Sequence, residues 1–249
     1  MAKGKSICIY GAKGGIGKTT FTLNLAGIFH KLNKKVLIID LDLFNGAVAL
    51  LLNKDISKTI FNFYEDIINN RFESIEKYVT TYNENISFLA CPKDPRQANK
   101  IDAKCIEILI EKCRFLYDVI LIDTTNYLSE INILAMDKSD GILFMTNNDL
   151  ASLKNLKNVL NILSDTDIIN YKIILNNSAL LNKDYFSNYD IKNILGTSID
   201  YKISEKFNYK KLDNLTFEGK IMSLCFSGYP DEKVLTLIAK DILKGDNNE

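Results

Sequence analysis

Ala12-Lys13-Gly14-Gly15-Ile16-Gly17-Lys18-Thr19-Thr20 follows the apolar run Ser6-Ile7-Cys8-Ile9-Tyr10 and opens a segment of helical periodicity. A short β-branched run, then glycines, then Lys-Thr is the layout of a phosphate-binding loop between a strand and a helix. Glycine lets backbone N–H groups turn inward and approach a polyphosphate, because no Cβ blocks either the dihedrals or the contact. The helix start adds unpaired N–H groups and the positive end of its dipole. On this reading the backbone from Gly14 to Thr20, through Gly15, Ile16 and Gly17, cradles phosphates. Lys18 sits on the β- and γ-phosphates, and the Thr19 hydroxyl ligates Mg2+.

The rest of the chain is consistent with a host for such a loop. Its 249 residues suit one large α/β domain, residues 1–249, with an ample core. Basic and acidic residues number 31 each, so global charge points neither toward nor away from nucleic acid. Five scattered cysteines (Cys8, Cys91, Cys105, Cys113, Cys225) form no Cys-x-x-Cys pair, which fits reduced thiols in or near the core. No signal-peptide block precedes the loop, and the longest purely apolar run, Ala47 to Leu52, is far short of the ~20 residues that span a bilayer. A cytoplasmic chain is the expectation.

Strand-like runs are read at residues 6–10, 36–41, 86–90, 117–123, 141–146, 171–176 and 197–199. Helical patterns fall at 17–31, 58–70, 101–115, 152–163, 185–195 and 231–244. This alternation predicts an α/β fold, a mostly parallel central sheet with helices on both faces. The strands are nearly all apolar, as in Val119-Ile120-Leu121-Ile122, which is expected when both sheet faces are covered.

Phosphate chemistry needs carboxylates beside the loop, and two strands supply them. Val36-Leu37-Ile38-Ile39-Asp40-Leu41-Asp42 ends in aspartates two residues apart, which point to one side of an extended strand. Asp40 would act toward Mg2+ and its waters. Tyr117-Asp118-Val119-Ile120-Leu121-Ile122-Asp123 reads as a Walker B strand, with Asp123 holding a Mg2+-bound water.

The loop carries a second lysine five residues before Lys18, and Ala12 stands where the usual first glycine would be. This Lys-Gly-Gly-x-Gly-Lys-Thr form resembles the deviant Walker loop of the MinD/ParA ATPases, and the resemblance extends from Ser6 to about Lys244. It implies a P-loop NTPase fold and slow, Mg2+-dependent hydrolysis of ATP. It also implies an ATP-closed homodimer in which Lys13 reaches the partner's nucleotide. Asp42, 24 residues after Lys18, matches the water-orienting aspartate, and Asn24 matches an asparagine of the first helix. Asn176, ending Tyr171-Lys172-Ile173-Ile174-Leu175, matches the asparagine that reads the adenine edge; a turn-forming asparagine is the competing reading. The chain departs from the family at three places. Thr124-Thr125-Asn126 stands where a proline is usual, Asn177 where Arg or Lys is usual, and Ile199-Asp200 replaces an Ile-Pro turn.

Three segments, at residues 41–50, 90–98 and 148–155, are similar to the CpaE/TadZ branch, which places Tad/Flp pili. The implied function is a dimerising switch that positions a cellular assembly through a protein partner, a pilus apparatus in that branch, recruited at a pole or a membrane complex. A ParA/MinD-like partition or division-site ATPase and a non-hydrolysing nucleotide-bound scaffold are the alternatives. An iron–sulfur or nickel carrier is disfavoured, because no cysteine follows Asp42 or Asp123 closely. Val234, Leu235, Ile238 and Ile242 form an apolar stripe read as a core-docking helix rather than a membrane helix, with Glu232 and Asp241 opposing lipid. Lys202, Lys206, Lys210, Lys211 and Lys220 are the best candidates for a nucleic-acid patch, but Glu205, Asp213 and Glu218 dilute them and a solvated face is expected.

Overall fold

The computed structural model describes residues 3–164, 166, 170–177, 186–204 and 214–244. Strands β1 (Lys5–Tyr10), β2 (Val36–Asp40), β3 (Thr80–Thr81), β4 (Ile86–Leu89), β5 (Val119–Asp123), β6 (Gly141–Thr146), β7 (Tyr171–Asn176) and β8 (Tyr201–Ile203) form one sheet in the order β3-β4-β2-β5-β1-β6-β7-β8. Every pairing is parallel except the short edge strand β3 on β4. The helices are α1 (Lys18–Lys31), α2 (Val48–Leu51), α3 (Ile60–Ile68), α4 (Lys104–Cys113), α5 (Glu130–Asp137), α6 (Leu150–Leu163), α7 (Asn188–Leu195), α8 (Met222–Cys225) and α9 (Glu232–Lys244).

The two-residue period of the strands divides the core. Tyr10, Leu37, Ile39, Ile120, Ile122 and Phe144 face one layer, built with α3, α4, α5, α6 and α7. Ile9, Ile38, Leu121, Leu143, Met145 and Ile174 face the other, built with α1, α8 and α9. α1 lies between the sheet and α8, so nearly all of its middle, Phe21 to Phe29, is buried. Gly27 permits that approach: a Cβ there would sit 2.1 Å from the Ser223 hydroxyl. Asn24 completes the joint, its side-chain oxygen accepting the Ser223 N–H at 2.9 Å.

Most sequence expectations survive with shifted ends, and the caps explain the shifts. Thr59 caps α3, Asp149 caps α6 and Ser187 caps α7, each accepting a first-turn backbone N–H. The expected strand at 197–199 is not formed. Gly196 ends α7 in the left-handed region (φ 76°), and Asp200 then bonds both ways to Ile173, so β8 begins only at Tyr201. α5 was not anticipated, because its buried side mixes Asn132 with Ala135 and Met136 and so breaks the apolar period. α9 docks on the core through Leu235, Ile238 and Ala239, as its stripe predicts. All five cysteines are free; Cys8, Cys105 and Cys113 are buried, whereas Cys225 is exposed.

Candidate functional site

The phosphate-type loop runs off the end of β1 into α1. Gly15 (φ 73°) and Gly17 (φ 89°) occupy the left-handed region that side chains disfavour. A Cβ on Gly14 or Gly15 would meet nothing within 4 Å, so these two glycines border open space rather than a crowded core. Ile16 is the loop's anchor: it is 1% exposed and folds back over Gly11. The loop is also held from outside. Asn176 donates its side-chain amide to the Ile16 carbonyl at 2.7 Å, and Asn155 of α6 donates to the Ala12 carbonyl at 3.1 Å.

Strand parity and register place the carboxylates. Asp40 and Asp123 are direct neighbours on β2 and β5, and β5 pairs with β1 through Ile9 and Asp123. Alternation turns both toward the α1 layer, the side on which the loop enters its helix. The Thr19 hydroxyl donates to Asp123 Oδ2 at 2.6 Å, and the other oxygen, Oδ1, is buried without a partner among the described residues. Burial pushes the Asp123 carboxyl up to about 6, against the opposing pull of the Thr19 hydroxyl and the Lys18 ammonium. Burial lowers Lys18, offset by the charges of Asp123 and Asp42.

Asp40 behaves differently from its neighbour. Its two oxygens accept the backbone N–H groups of Asp42 (3.2 Å) and Val48 (3.1 Å), which closes the intervening loop on itself. Burial, and then the charge of Asp123, raise its carboxyl well above the usual range. Gly46 is needed beside it, since a Cβ there would come within 2.5 Å of Asp40 Oδ2. Asp42 is half-buried and accepts the Asn45 N–H at 3.1 Å.

Lys13 lies apart from this group. Its ammonium is 2.9 Å from Asp149, the cap of α6, and its side chain is 42% exposed. Asp149 escaped the sequence reading because the helix was expected to start at Ser152; the Asp-x-x-Ser capping pattern was the available signal. After Asp123 the chain is held by Thr124, whose hydroxyl donates to the Ile9 carbonyl at 2.7 Å, and by Asn132 of α5. That loop and the one carrying Asp42 border a cavity of about 600 Å³, lined by Leu41, Leu43, Phe44, Ile101, Tyr127 and Ile131 among others.

This arrangement fits a Mg2+–nucleoside triphosphate. A buried carboxylate oxygen with no partner and a hydroxyl beside it suit a hydrated divalent cation, and the glycine-bordered space suits a polyphosphate. Among the described residues no three His, Cys, Asp or Glu group into a metal cluster, so a cation here would rest on Thr19 and Asp123 together with phosphate oxygens and water. Of the other candidates, Lys206, Lys210 and Lys211 lie outside the described residues, and Lys220 is paired with Glu218 at 2.6 Å. No helix among the described residues is long and apolar enough to cross a membrane.

Residues 4–178 match the family described as AAA domain. A protein of Oltmannsiellopsis viridis provisionally named septum site-determining protein MinD is 26% identical over 197 residues. That match covers 77% of this chain and 61% of that protein's own length. Among solved structures, a ParA family ATPase from Chlorobium tepidum aligns at a TM-score of 0.84 with 17% identity, over 96% of this chain and 99% of that one. The septum site-determining protein MinD of Pyrococcus horikoshii, complexed with Mg-ADP, aligns at 0.79 with 24% identity, over 97% of each chain.

Proposed function

Since this chain belongs to the AAA domain family, with a P-loop ATPase fold of MinD/ParA type, we propose that it is an ATP-dependent, dimerising switch that hydrolyses ATP to ADP and phosphate and positions a cellular assembly. The observation that carries this reading is the Thr19–Asp123 hydrogen bond beneath the glycine loop, with Lys18 alongside and Asp42 at the next strand end. Lys18 and the loop's backbone N–H groups bind the phosphates; Asn176, which braces the loop at the Ile16 carbonyl, is the residue proposed for the adenine edge. Thr19 and Asp123 hold Mg2+, with Asp40 one step back; the cation neutralises the phosphate charge that develops in hydrolysis. Asp42 orients the attacking water, and Lys13 leaves Asp149 to reach the nucleotide of a second copy.

The output is a surface that exists only in the ATP-bound dimer and recruits a protein partner. MinD and ParA relatives support a partition or division-site role for that surface. A CpaE/TadZ-like role in pilus placement has its support in residues 41–50, 90–98 and 148–155 alone.

The test is the solution mass of Asp42→Ala by light scattering with Mg-ATP and with Mg-ADP. Dimer with ATP and monomer with ADP is the expected result. The same mass in both would sink the switch and favour a nucleotide-bound scaffold.

A further inference from the structure

The segment after Asp123 is unusually polar for its depth. Thr124 is 1% exposed, Thr125 5% and Asn132 1%. Burying such groups costs free energy that hydrogen bonds offset; among the described residues the Asn132 NH2 is paired, while its Oδ1 has no partner. Thr124 extends the β5–β1 ladder one residue past Asp123, its N–H and hydroxyl both donating to the Ile9 carbonyl. Asn132, on the inward side of α5, spends its amide on the loop: it donates to the Thr125 hydroxyl oxygen and, at 2.9 Å, to the Tyr127 carbonyl. A flipped amide would set its oxygen against that carbonyl, so the bonds fix the orientation. Its own backbone N–H is held by Ser129 at 3.2 Å, and Tyr10 donates to the Asn126 carbonyl at 3.3 Å. No proline stiffens this stretch; the chain's three are Pro92, Pro95 and Pro230.

We propose that Thr125 and Asn132 are positioning residues for the chemistry at Asp123, forming a hydrogen-bonded clamp that fixes the course of residues 124–129. The inference rests on the hydrolytic reading above and deepens it. The hydrogen bonds of both side chains go to residues 125–127 and not to the loop that binds phosphate, so the clamp acts on turnover and not on nucleotide affinity. It also forms one wall of the cavity between the two loops, through Thr125 and Tyr127, so whatever fills that cavity meets the clamp directly.

The experiment compares Thr125→Val, which keeps the shape and removes the acceptor, with Thr125→Ser, which keeps it. Hydrogen exchange of amides 124–129, ADP affinity and the kcat for ATP are measured on both, and on Asn132→Leu alone and combined. Expected for Thr125→Val are roughly tenfold faster exchange in 124–129 and about tenfold lower kcat, with ADP affinity unchanged, the scale of one lost buried hydrogen bond. Thr125→Ser matches the wild type, and the double variant is no worse than its poorer single. Equal loss in the valine and serine variants, or unchanged exchange in the valine variant, overturns the clamp. If Asn132→Leu does not fold, the Thr125 pair still decides. A wild-type chain without turnover would refute the hydrolytic reading and the kinetic half of this inference, while the exchange arm, which uses no ATP, judges the clamp itself.

Discussion

The Lys13 ammonium and the Asp149 carboxylate stand 2.9 Å apart, joining the glycine loop to the cap of α6. A lysine required in another protomer must first leave this partner. The pair is partly exposed, so its release costs only about 0.2–1 kcal/mol on each side. Asn caps a helix as well as Asp does. Asp149→Asn should therefore tighten the proposed ATP-dependent dimer by roughly two- to 30-fold, two such pairs being broken per dimer. Lys13→Ala should spare ADP binding and abolish the dimer. Sedimentation velocity across a concentration series would read both, and a dimer weakened by Asp149→Asn would reverse the assignment.

Lys18 feels the charges of both Asp123 and Asp42. Lys18→Ala should remove nucleotide binding, by about 100-fold or more in affinity, since it deletes a charge-assisted contact and leaves two carboxylates facing the phosphates. Titration calorimetry with Mg-ADP checks this. Retained affinity would mean that the phosphates lie elsewhere.

The buried Asp123 carboxyl predicts a pH signature in the ligand-free chain. Its value is raised from 3.8 to about 6, so the folded state holds the proton more tightly than the unfolded state. The cost of ionising it is absent below pH 3.8 and complete above about 6. A rise of that size corresponds to roughly 3 kcal/mol. Asp123→Asn, which removes this ionisation, should gain stability relative to the wild type as pH rises from 4 to 7. Urea unfolding at a series of pH values would show it. A difference between variant and wild type that does not change with pH would mean that the carboxyl is not what titrates.

Gly27 predicts a structural failure remote from the chemistry. A methyl group there would overlap the Ser223 hydroxyl, so Gly27→Ala must push α8 away from α1. Overpacking of this kind costs about 1–3 kcal/mol. Thermal unfolding should show a lower Tm, and Gly27→Ala/Ser223→Gly should recover part of the loss.

The parallel sheet, the glycine loop and the aspartates at strand ends were legible because each depends on short-range pattern: apolar runs, glycine spacing, a carboxylate closing a strand. Lys13's attachment to Asp149 was not, because it joins residues 136 apart in the chain. α5 was hidden for a related reason. Asn132 looks like a loop residue until the loop it serves is seen. Asp40 shows the limit of strand parity. Alternation paired it with Asp42 on one side of the strand, yet nothing in the sequence revealed that it lies beside Asp123 or that both its oxygens are engaged by the backbone of its own loop.

That engagement has a wider meaning. One carboxylate gathers the start and the end of residues 42–48, making a closed eyelet hung from the tip of β2. Asp42 belongs to the fixed rim, while Phe44 and Asn45 form the exposed crown. An eyelet keeps its neck when its crown is recut. Phe44 and Asn45 can therefore be exchanged without loosening the two bonds that hold Asp42 and Val48 at the neck.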